Sequence, residues 1–170
     1  CGGHAAAAGL RIEDGRIQAF REAFVGEVAR RITPEQRQAS VAIDGEATLG
    51  GLTCEVVEQI ERLAPFGQGN RRPVLLASGV HLAEPPRVIG NGGRHISMRL
   101  SQHGIPLRAV AFGGADWLPH LPSPGTPFHV AFKPKINEFR GRRTAEAELV
   151  DWRPEGVPVD SELPPLVAAG

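Results

Sequence analysis

Apolar positions in the first part of the chain recur at helical spacing. Between residues 16 and 32 every third or fourth side chain is apolar: Ile17, Phe20, Phe24, Val28 and Ile32. This spacing predicts an amphipathic helix over 16–32, which Thr33-Pro34 ends. A second helix is predicted over 55–63, with Thr53 as its N-cap and its glutamates facing water. Its predicted buried side consists of Val56, Val57, Ile60 and Leu63.

The opening residues are small rather than periodic. Gly2-Gly3-His4 precedes four alanines and a glycine, a pattern that predicts a turn and then a short helix over 5–8. Residues 10–12 are predicted to form a short strand, and residues 40–49 a strand with a polar end. We place the main domain boundary near Ser40, because the strand and helix after it lead directly into the remaining segment.

Beyond Pro73 the apolar positions alternate, which is typical of strands with one buried face. Five strands are predicted, over 74–82, 95–100, 105–112, 128–139 and 144–150. A short helix is predicted over 115–121, and the prolines and acids from 153 onward predict a disordered tail. Five short strands with one helical connection indicate a small antiparallel barrel. The predicted fold class is therefore α+β, mostly β.

Charge is unevenly distributed along a chain whose formal net charge is zero. Residues 65–153 carry 12 Lys/Arg against 6 Asp/Glu, whereas residues 1–64 carry 7 against 10. A basic middle segment is typical of a surface that meets a polyanion. The two cysteines, Cys1 and Cys54, suggest neither a disulfide framework nor a zinc site and favour the cytoplasm. Because the chain begins at Cys1, we expect it to be a piece of a longer protein. Because no apolar run is long enough to span a bilayer, we expect no membrane segment.

The strongest candidate for nucleic-acid binding is the stretch 129–143. In an extended strand, Lys133, Lys135, Asn137 and Phe139 share one face, and the turn after them adds Arg140, Arg142 and Arg143. Lysines can follow phosphates while an aromatic ring stacks on a base. Pro134 predicts an edge position or a bulge, where this face would be accessible. A solvated strand with a charged hairpin tip explains the same residues equally well.

Two other stretches are weaker candidates for binding a phosphate. If Gly2-Gly3-His4 begins a helix, its free N–H groups and histidine could contact a phosphate, although a plain turn explains it too. Arg71 and Arg72 follow a turn-forming segment and could reach a nucleic-acid backbone. The remaining histidines show no ligand spacing, so the sequence predicts no metal site.

Three stretches together resemble the RecJ family of DHH phosphoesterases. Residues 2–10 (GGHAAAAGL) are similar to the GGH motif near the end of the DHHA1 domain. Residues 63–70 (LAPFGQGN) resemble the segment that leads into the RecJ OB domain, and residues 136–142 (INEFRGR) resemble a signature near the end of that domain. The likeness runs in order from Cys1 to about Trp152. It departs from the family after Asn70, where Arg71 and Arg72 stand in place of proline.

The resemblance implies the C-terminal part of a single-stranded-DNA-specific 5′→3′ exonuclease that acts in repair and recombination. Residues 1–39 would end a DHHA1 domain, residues 40–152 would form an OB domain, and residues 153–170 would be a disordered tail. Gly2, Gly3 and His4 would contact substrate phosphate, with His4 supporting catalysis. Mn²⁺ or Mg²⁺ would be bound by a DHH domain outside these residues. The family is usually monomeric.

Two alternatives remain open on the sequence alone. The chain could be a stand-alone OB-fold module that binds single-stranded DNA, or that docks a single-strand-binding protein or another repair protein. A DHH phosphoesterase for short oligonucleotides or cyclic dinucleotides would share the GGH motif, but would not be expected to carry the RecJ-type barrel.

Overall fold

The computed structural model of the chain describes residues 2–4, 7–33 and 40–156, and gives only the backbone for Gly3 and His4. The chain divides into two units, residues 1–40 and 41–170, which are described separately below. Most of the predicted tail, residues 157–170, lies outside the described residues. Neither helix in the described ranges combines the length and apolar character that a membrane span requires.

The first unit begins with a small antiparallel ribbon rather than a helix. Strand β1 (Gly2–His4) pairs with β2 (Ala7–Gly9), so that Gly3 lies opposite Ala8. The predicted helix over 5–8 is therefore wrong at Ala7 and Ala8, while residues 5 and 6 lie outside the described residues. A helix of four residues is too short for the hydrogen bonds of propagation to offset the cost of nucleation. Strand pairing gives the backbone N–H and C=O groups hydrogen-bond partners without that cost. The strand predicted over 10–12 is also wrong, because these residues have no regular structure.

Helix α1 (Ile17–Arg31) confirms the first helix prediction to within one residue at each end. It follows a 3-10 turn over Asp14–Arg16, and the Ile32 N–H closes it by donating to the Val28 carbonyl. The rings of Phe20 and Phe24 stack with their centroids 5.7 Å apart. No residue of α1 is buried by the described part of the chain, so this unit shows no core of its own there.

Within residues 41–156, the second unit consists of one α-helix and seven strands. Its elements are β3 (Gly45–Glu46), α2 (Cys54–Glu61), β4 (Leu75–Leu82), β5 (Arg87–Ile89), β6 (His95–Gln102), β7 (Ile105–Ala111), β8 (Phe128–Phe139) and β9 (Arg142–Pro154). Two 3-10 helices, Leu49–Gly51 and Gly114–Trp117, connect them.

Five of these strands close into a barrel. The sheet order is β3-β4-β8-β9-β7-β6-β5, and an additional pairing of β4 with β6 joins its ends. The closed ring therefore runs β4, β6, β7, β9, β8 and back to β4. Four of its pairings are antiparallel, and β7 with β9 is parallel. The predicted five-stranded OB-type barrel is confirmed, with one parallel pairing.

Alternating side chains fill the barrel as the period of two predicts. Phe128, Val130 and Phe132 on β8 are fully buried, and Phe128 meets the Trp152 ring edge-on at a centroid distance of 6.1 Å. Further core residues come from each of the other barrel strands: Ala77, Val80, Leu82, Ile96, Met98, Leu100, Leu107, Ala109, Ala111, Ala147 and Leu149. Burial of this apolar face is the main stabilising contribution to the second unit.

Several boundaries differ from the sequence predictions. Only Gly45–Glu46 of the predicted strand 40–49 is extended, and β5 was not predicted. A single 3-10 turn, Gly114–Trp117, replaces the helix predicted over 115–121. Strand β9 is longer than predicted because it pairs with β8 along its whole length, and it ends inside the stretch assigned to a tail.

Helix α2 begins where the sequence predicts, because the Thr53 side chain accepts a hydrogen bond from the Val56 N–H at 3.2 Å. It contacts β8 and β9. Of its predicted buried side only Val57 is fully buried; Ile60 is half-buried, while Val56 and Leu63 are exposed.

Candidate nucleic-acid interface

The hairpin formed by β8 and β9 extends beyond the barrel. Strand β4 pairs with β8 only as far as Phe132, and β7 pairs with β9 only at Ala147 and Glu148. In the described strand pairings, residues 133–146 therefore pair only within the β8–β9 hairpin, and we call them the hairpin arm. Pro134 had predicted an edge position, but strand β8 as a whole is not an edge strand, since it pairs with both β4 and β9. Proline is nevertheless tolerated there because β4 has already ended.

The predicted polar stripe lies on one face of the arm. Alternate residues of β8 are buried, which leaves Lys133, Lys135, Asn137 and Phe139 on the opposite face. The register places Glu148 opposite Lys133, Glu146 opposite Lys135 and Arg142 opposite Phe139. Facing side chains on paired strands are close enough to interact. The stripe is thus alternately basic and acidic across the two strands.

Ion pairs neutralise part of the positive charge on this stripe. The Lys135 ammonium contacts the Glu148 carboxylate, and the Arg108 guanidinium on β7 contacts that of Glu146. A cation held in this way must exchange partners before it can bind a phosphate, which reduces its net contribution. Lys133 forms no ion pair within the described residues. It is therefore the lysine of the stripe whose charge is available.

The tip of the arm carries the most exposed groups. Arg140 and Gly141 form the turn with φ angles of 51° and 73°, in the left-handed region. The Arg140 guanidinium lies 5.1 Å from the centroid of the Phe139 ring, which is 64% exposed. Neither Arg140 nor Arg142 has an ionic partner in the described part of the chain. The tip thus presents two available guanidinium groups around one exposed ring.

Helix α2 holds two of the predicted arginines: Arg143, two residues after the turn at the arm's tip, and Arg72 at the arm's base. Arg143 pairs with Glu58 at 2.7 Å, and Arg72 binds both carboxylate oxygens of Glu61. The hydrogen bond from Arg72, aided by the charges of Arg72 and Lys135, holds the pKa of Glu61 below its ordinary value of 4.5 despite some burial.

Phe66 completes this base, since the Arg72 guanidinium lies 4.5 Å from its ring centroid. The Asn70 side-chain amide donates to the carbonyls of Leu63 and Pro65 at 2.7 and 3.1 Å, which fixes the loop between α2 and β4. Arg71 is exposed and unpaired among the described residues. The structure thus gives Arg72 a structural role at the arm's base, while Arg71 stays available.

The backbone at Gly2, Gly3 and His4 differs from the geometry on which anion binding was predicted. These residues form strand β1, so no helix begins there to offer free N–H groups. The helix-terminus explanation is wrong for this reason. A phosphate contact by Gly2, Gly3 and His4 stays a prediction based on the family resemblance.

Sequence reasoning missed the arginines and the aromatic ring next to the arm. Arg99 on β6 lies directly opposite Arg108 on β7. Phe112 follows β7 and is 61% exposed, and the Lys135 ammonium lies 5.9 Å from its ring centroid. The two-residue turn His103–Gly104 could have predicted the facing arginines, because turn length fixes hairpin register.

No group of three His, Cys, Asp or Glu side chains comes together as metal ligands within the described ranges. The residues present there therefore do not fit a Mn²⁺ or Mg²⁺ centre, and no chemical step through a metal is assigned to them.

Comparisons with known proteins agree with this architecture. The chain is 34% identical over 154 residues to the single-stranded-DNA-specific exonuclease RecJ of Haemophilus influenzae, covering 89% of the chain and 26% of that protein. It is 31% identical over 150 residues to RecJ of Escherichia coli, covering 85% of the chain and 25% of that protein. The chain thus spans about a quarter of the length of these relatives.

A solved structure gives the same result. The chain is similar to the crystal structure of RecJ in complex with Mn²⁺ from Thermus thermophilus, with a TM-score of 0.58 and 29% identity over 89% of this chain and 21% of that one. The family model of the RecJ OB domain matches residues 43–151, which include the whole barrel except the last residues of β9. By this match the chain belongs to the RecJ OB domain family.

Proposed function

We propose that this chain is the strand-guiding C-terminal part of a single-stranded-DNA-specific 5′→3′ exonuclease, with the hairpin arm as its DNA contact. The tip of the arm carries the proposal: Arg140 and Arg142 lack ionic partners within the described residues, and Phe139 is exposed beside them. Free guanidinium groups bind phosphates, and an exposed ring can stack on any base. These contacts need no base sequence, as a nuclease that acts along a strand requires.

The predicted DNA-binding residues contribute unequally in this proposal. Arg140, Arg142, Lys133 and Arg71 supply available charge, and Asn137 and Phe139 complete the exposed face. Lys135, Arg143 and Arg72 are paired with carboxylates, so they contribute chiefly by shaping the arm and its base.

Hydrolysis itself is assigned to a part of the protein outside these residues. Manganese or magnesium bound there would activate water for attack on the phosphodiester. The ribbon that carries Gly2, Gly3 and His4 would hold the phosphate beside that centre, with His4 donating a hydrogen bond. A cytoplasmic monomer that meets single-strand-binding protein or another repair protein completes the proposal.

The test is a titration of the 170-residue chain with a fluorescent oligothymidylate at several salt concentrations. We expect affinity to fall steeply with salt, and the slope of log K against log salt to decrease by about 0.7 when Arg140→Ala removes one phosphate contact. Arg142→Ala should have a similar effect. Arg21→Ala is the matched control, because it removes from α1 in the other unit an exposed arginine that forms no ion pair with any described residue.

The outcomes separate the candidate functions. A slope that Arg140→Ala and Arg21→Ala change equally would contradict the arm as the contact. Binding that is absent at every salt concentration would favour a protein-docking module instead. Duplex DNA should bind more weakly than the single strand, because its bases are already stacked and cannot reach the exposed ring.

A further inference from the structure

We propose that Phe112, held by His95, is a second base-stacking site, placed beside Lys135 of the polar stripe that ends at Phe139. This inference rests on the proposed function, because it assigns one contact on the same single strand. The ligand is a nucleobase of any identity. Neither Phe112 nor His95 is among the site residues predicted from the sequence.

The ring of Phe112 is exposed yet has a fixed neighbour. It meets the His95 ring edge-on, with centroids 5.3 Å apart and an interplanar angle of 73°. An edge-on contact joins the rim of one ring to the face of the other, so it covers at most one face of the phenyl group. Because Phe112 is 61% exposed, a flat ligand can reach it.

His95 is itself held on two sides. The Gly113 N–H donates to its Nδ1 at 2.9 Å, which fixes one edge of the imidazole ring. Gly90 packs against the other side, since a Cβ there would lie 2.8 Å from His95 Cδ2. Gly90 also has a φ of 80°, which favours glycine independently. His95 is therefore a positioning residue for the Phe112 ring.

Charge next to the ring suits a nucleotide. The Lys135 ammonium lies 5.9 Å from the Phe112 centroid while it contacts Glu148. A base stacked on Phe112 would thus place its phosphate near the Lys135 ammonium.

The spacing of the two rings fits one strand. Lys135 lies beside Phe112, and Phe139 follows four residues later on the same face of β8. At about 3.3 Å per residue these four residues span roughly 13 Å. Consecutive bases that stack lie about 3.4 Å apart, so a strand of a few nucleotides spans the length of β8 from Lys135 to Phe139.

The experiment compares oligothymidylate with an abasic oligonucleotide of the same length and charge. Wild-type chain should prefer oligothymidylate, because one stacked base contributes about five-fold or more to affinity. Phe112→Leu should reduce this preference by about that factor and leave affinity for the abasic strand unchanged. Phe24→Leu is the matched control, since its ring in α1 is 57% exposed and stacks on another aromatic ring.

A spectroscopic variant tests the contact directly. In Phe112→Trp the added indole fluorescence should be quenched by oligothymidylate and not by the abasic strand. Gly90→Ala, which displaces His95, should reduce the base preference without changing the salt slope. An unchanged base preference in Phe112→Leu, or equal loss for both strands, would overturn the second stacking site. Failure of wild-type chain to bind either strand would instead refute the proposed function.

Discussion

Replacing Arg140 by asparagine separates the backbone demand of the arm's tip from its charge. Arg140 has a φ of 51° and precedes Gly141 in a two-residue turn. The left-handed conformation costs most L-residues about 1–2 kcal/mol, whereas asparagine is several-fold enriched there. Asn-Gly is also a preferred pair for this turn. We expect Arg140→Asn to raise the free energy of unfolding by about 0.5–1 kcal/mol.

The same change removes one guanidinium group from the proposed DNA contact. Urea unfolding followed by the fluorescence of Trp117 and Trp152 would measure stability, since both indoles are half-buried in the second unit. The oligothymidylate titration would measure binding, and the salt slope should fall by about 0.7. Arg140→Asn is therefore expected to produce a more stable chain that binds DNA more weakly.

His103 offers a matched control at the other two-residue turn. It has a φ of 52° and is followed by Gly104 in the β6–β7 hairpin. Histidine already tolerates this region better than most residues, so His103→Asn should stabilise the chain by a smaller amount. It changes no charge on the arm and should leave the salt slope as it is. Arg140→Lys is the second control, because it keeps the charge and the backbone cost.

Two results would refute this reasoning in different ways. If Arg140→Asn binds with an unchanged salt slope, Arg140 is not a phosphate contact. If it fails to stabilise the chain while His103→Asn does, the positive φ is not the source of strain at the tip.

Three further outcomes are expected. Gln102→Leu should destabilise the second unit by about 2–5 kcal/mol in urea unfolding. Buried Gln102 accepts a hydrogen bond from the Leu49 N–H and donates one to the Ser78 carbonyl, and both backbone groups would lose their partner. The control Gln59→Leu, at an exposed position, should change stability little. The Glu61–Arg72 pair should stabilise the chain fully above pH 4.5, the ordinary pKa of the carboxyl, and progressively less as the pH falls through its lower folded value. The stability difference between wild type and Arg72→Met should therefore shrink below pH 4.5, while that for Arg71→Met stays small throughout; a difference independent of pH would contradict the linkage. In the whole protein, His4→Ala should lower turnover by about ten-fold or more and affect DNA binding less, and unchanged turnover would contradict its phosphate contact.

The barrel could be predicted from the sequence because its signal is local. Burial of one strand face enforces a period of two, and β6 shows it from His95 to Leu100 without interruption. Helices α1 and α2 were equally accessible, since their apolar spacing and the Thr53 cap are visible in the chain. Strand β5 was missed because three residues are too short for any periodic signal.

The carboxylates of the arm required register rather than periodicity. A turn of two residues at Arg140–Gly141 places Glu146 opposite Lys135 and Glu148 opposite Lys133. A turn over residues 140–143, as predicted from the sequence, does not produce these pairs. The Arg108–Glu146 contact depends further on the parallel pairing of β7 with β9, which joins segments distant in sequence.

The first unit was less predictable for a different reason. Glycine and alanine carry almost no side-chain signal, so Gly2–Gly9 is compatible with either a helix or a ribbon. Backbone pairing decides between the helix and the ribbon, and Gly3 lies opposite Ala8 in the structure. The exposed apolar face of α1 likewise gives no information on what it packs against.

The charge arrangement of the arm bears on how a strand could move across it. Lys135 and Arg108 already contact carboxylates, so binding a phosphate replaces one favourable contact with another and gains little. Available charge is confined to the tip and to Lys133, and the exposed rings accept any base. Contacts of this kind are individually weak and exchange without reference to base sequence. In the proposed exonuclease they would hold a strand in line while allowing it to advance one nucleotide at a time.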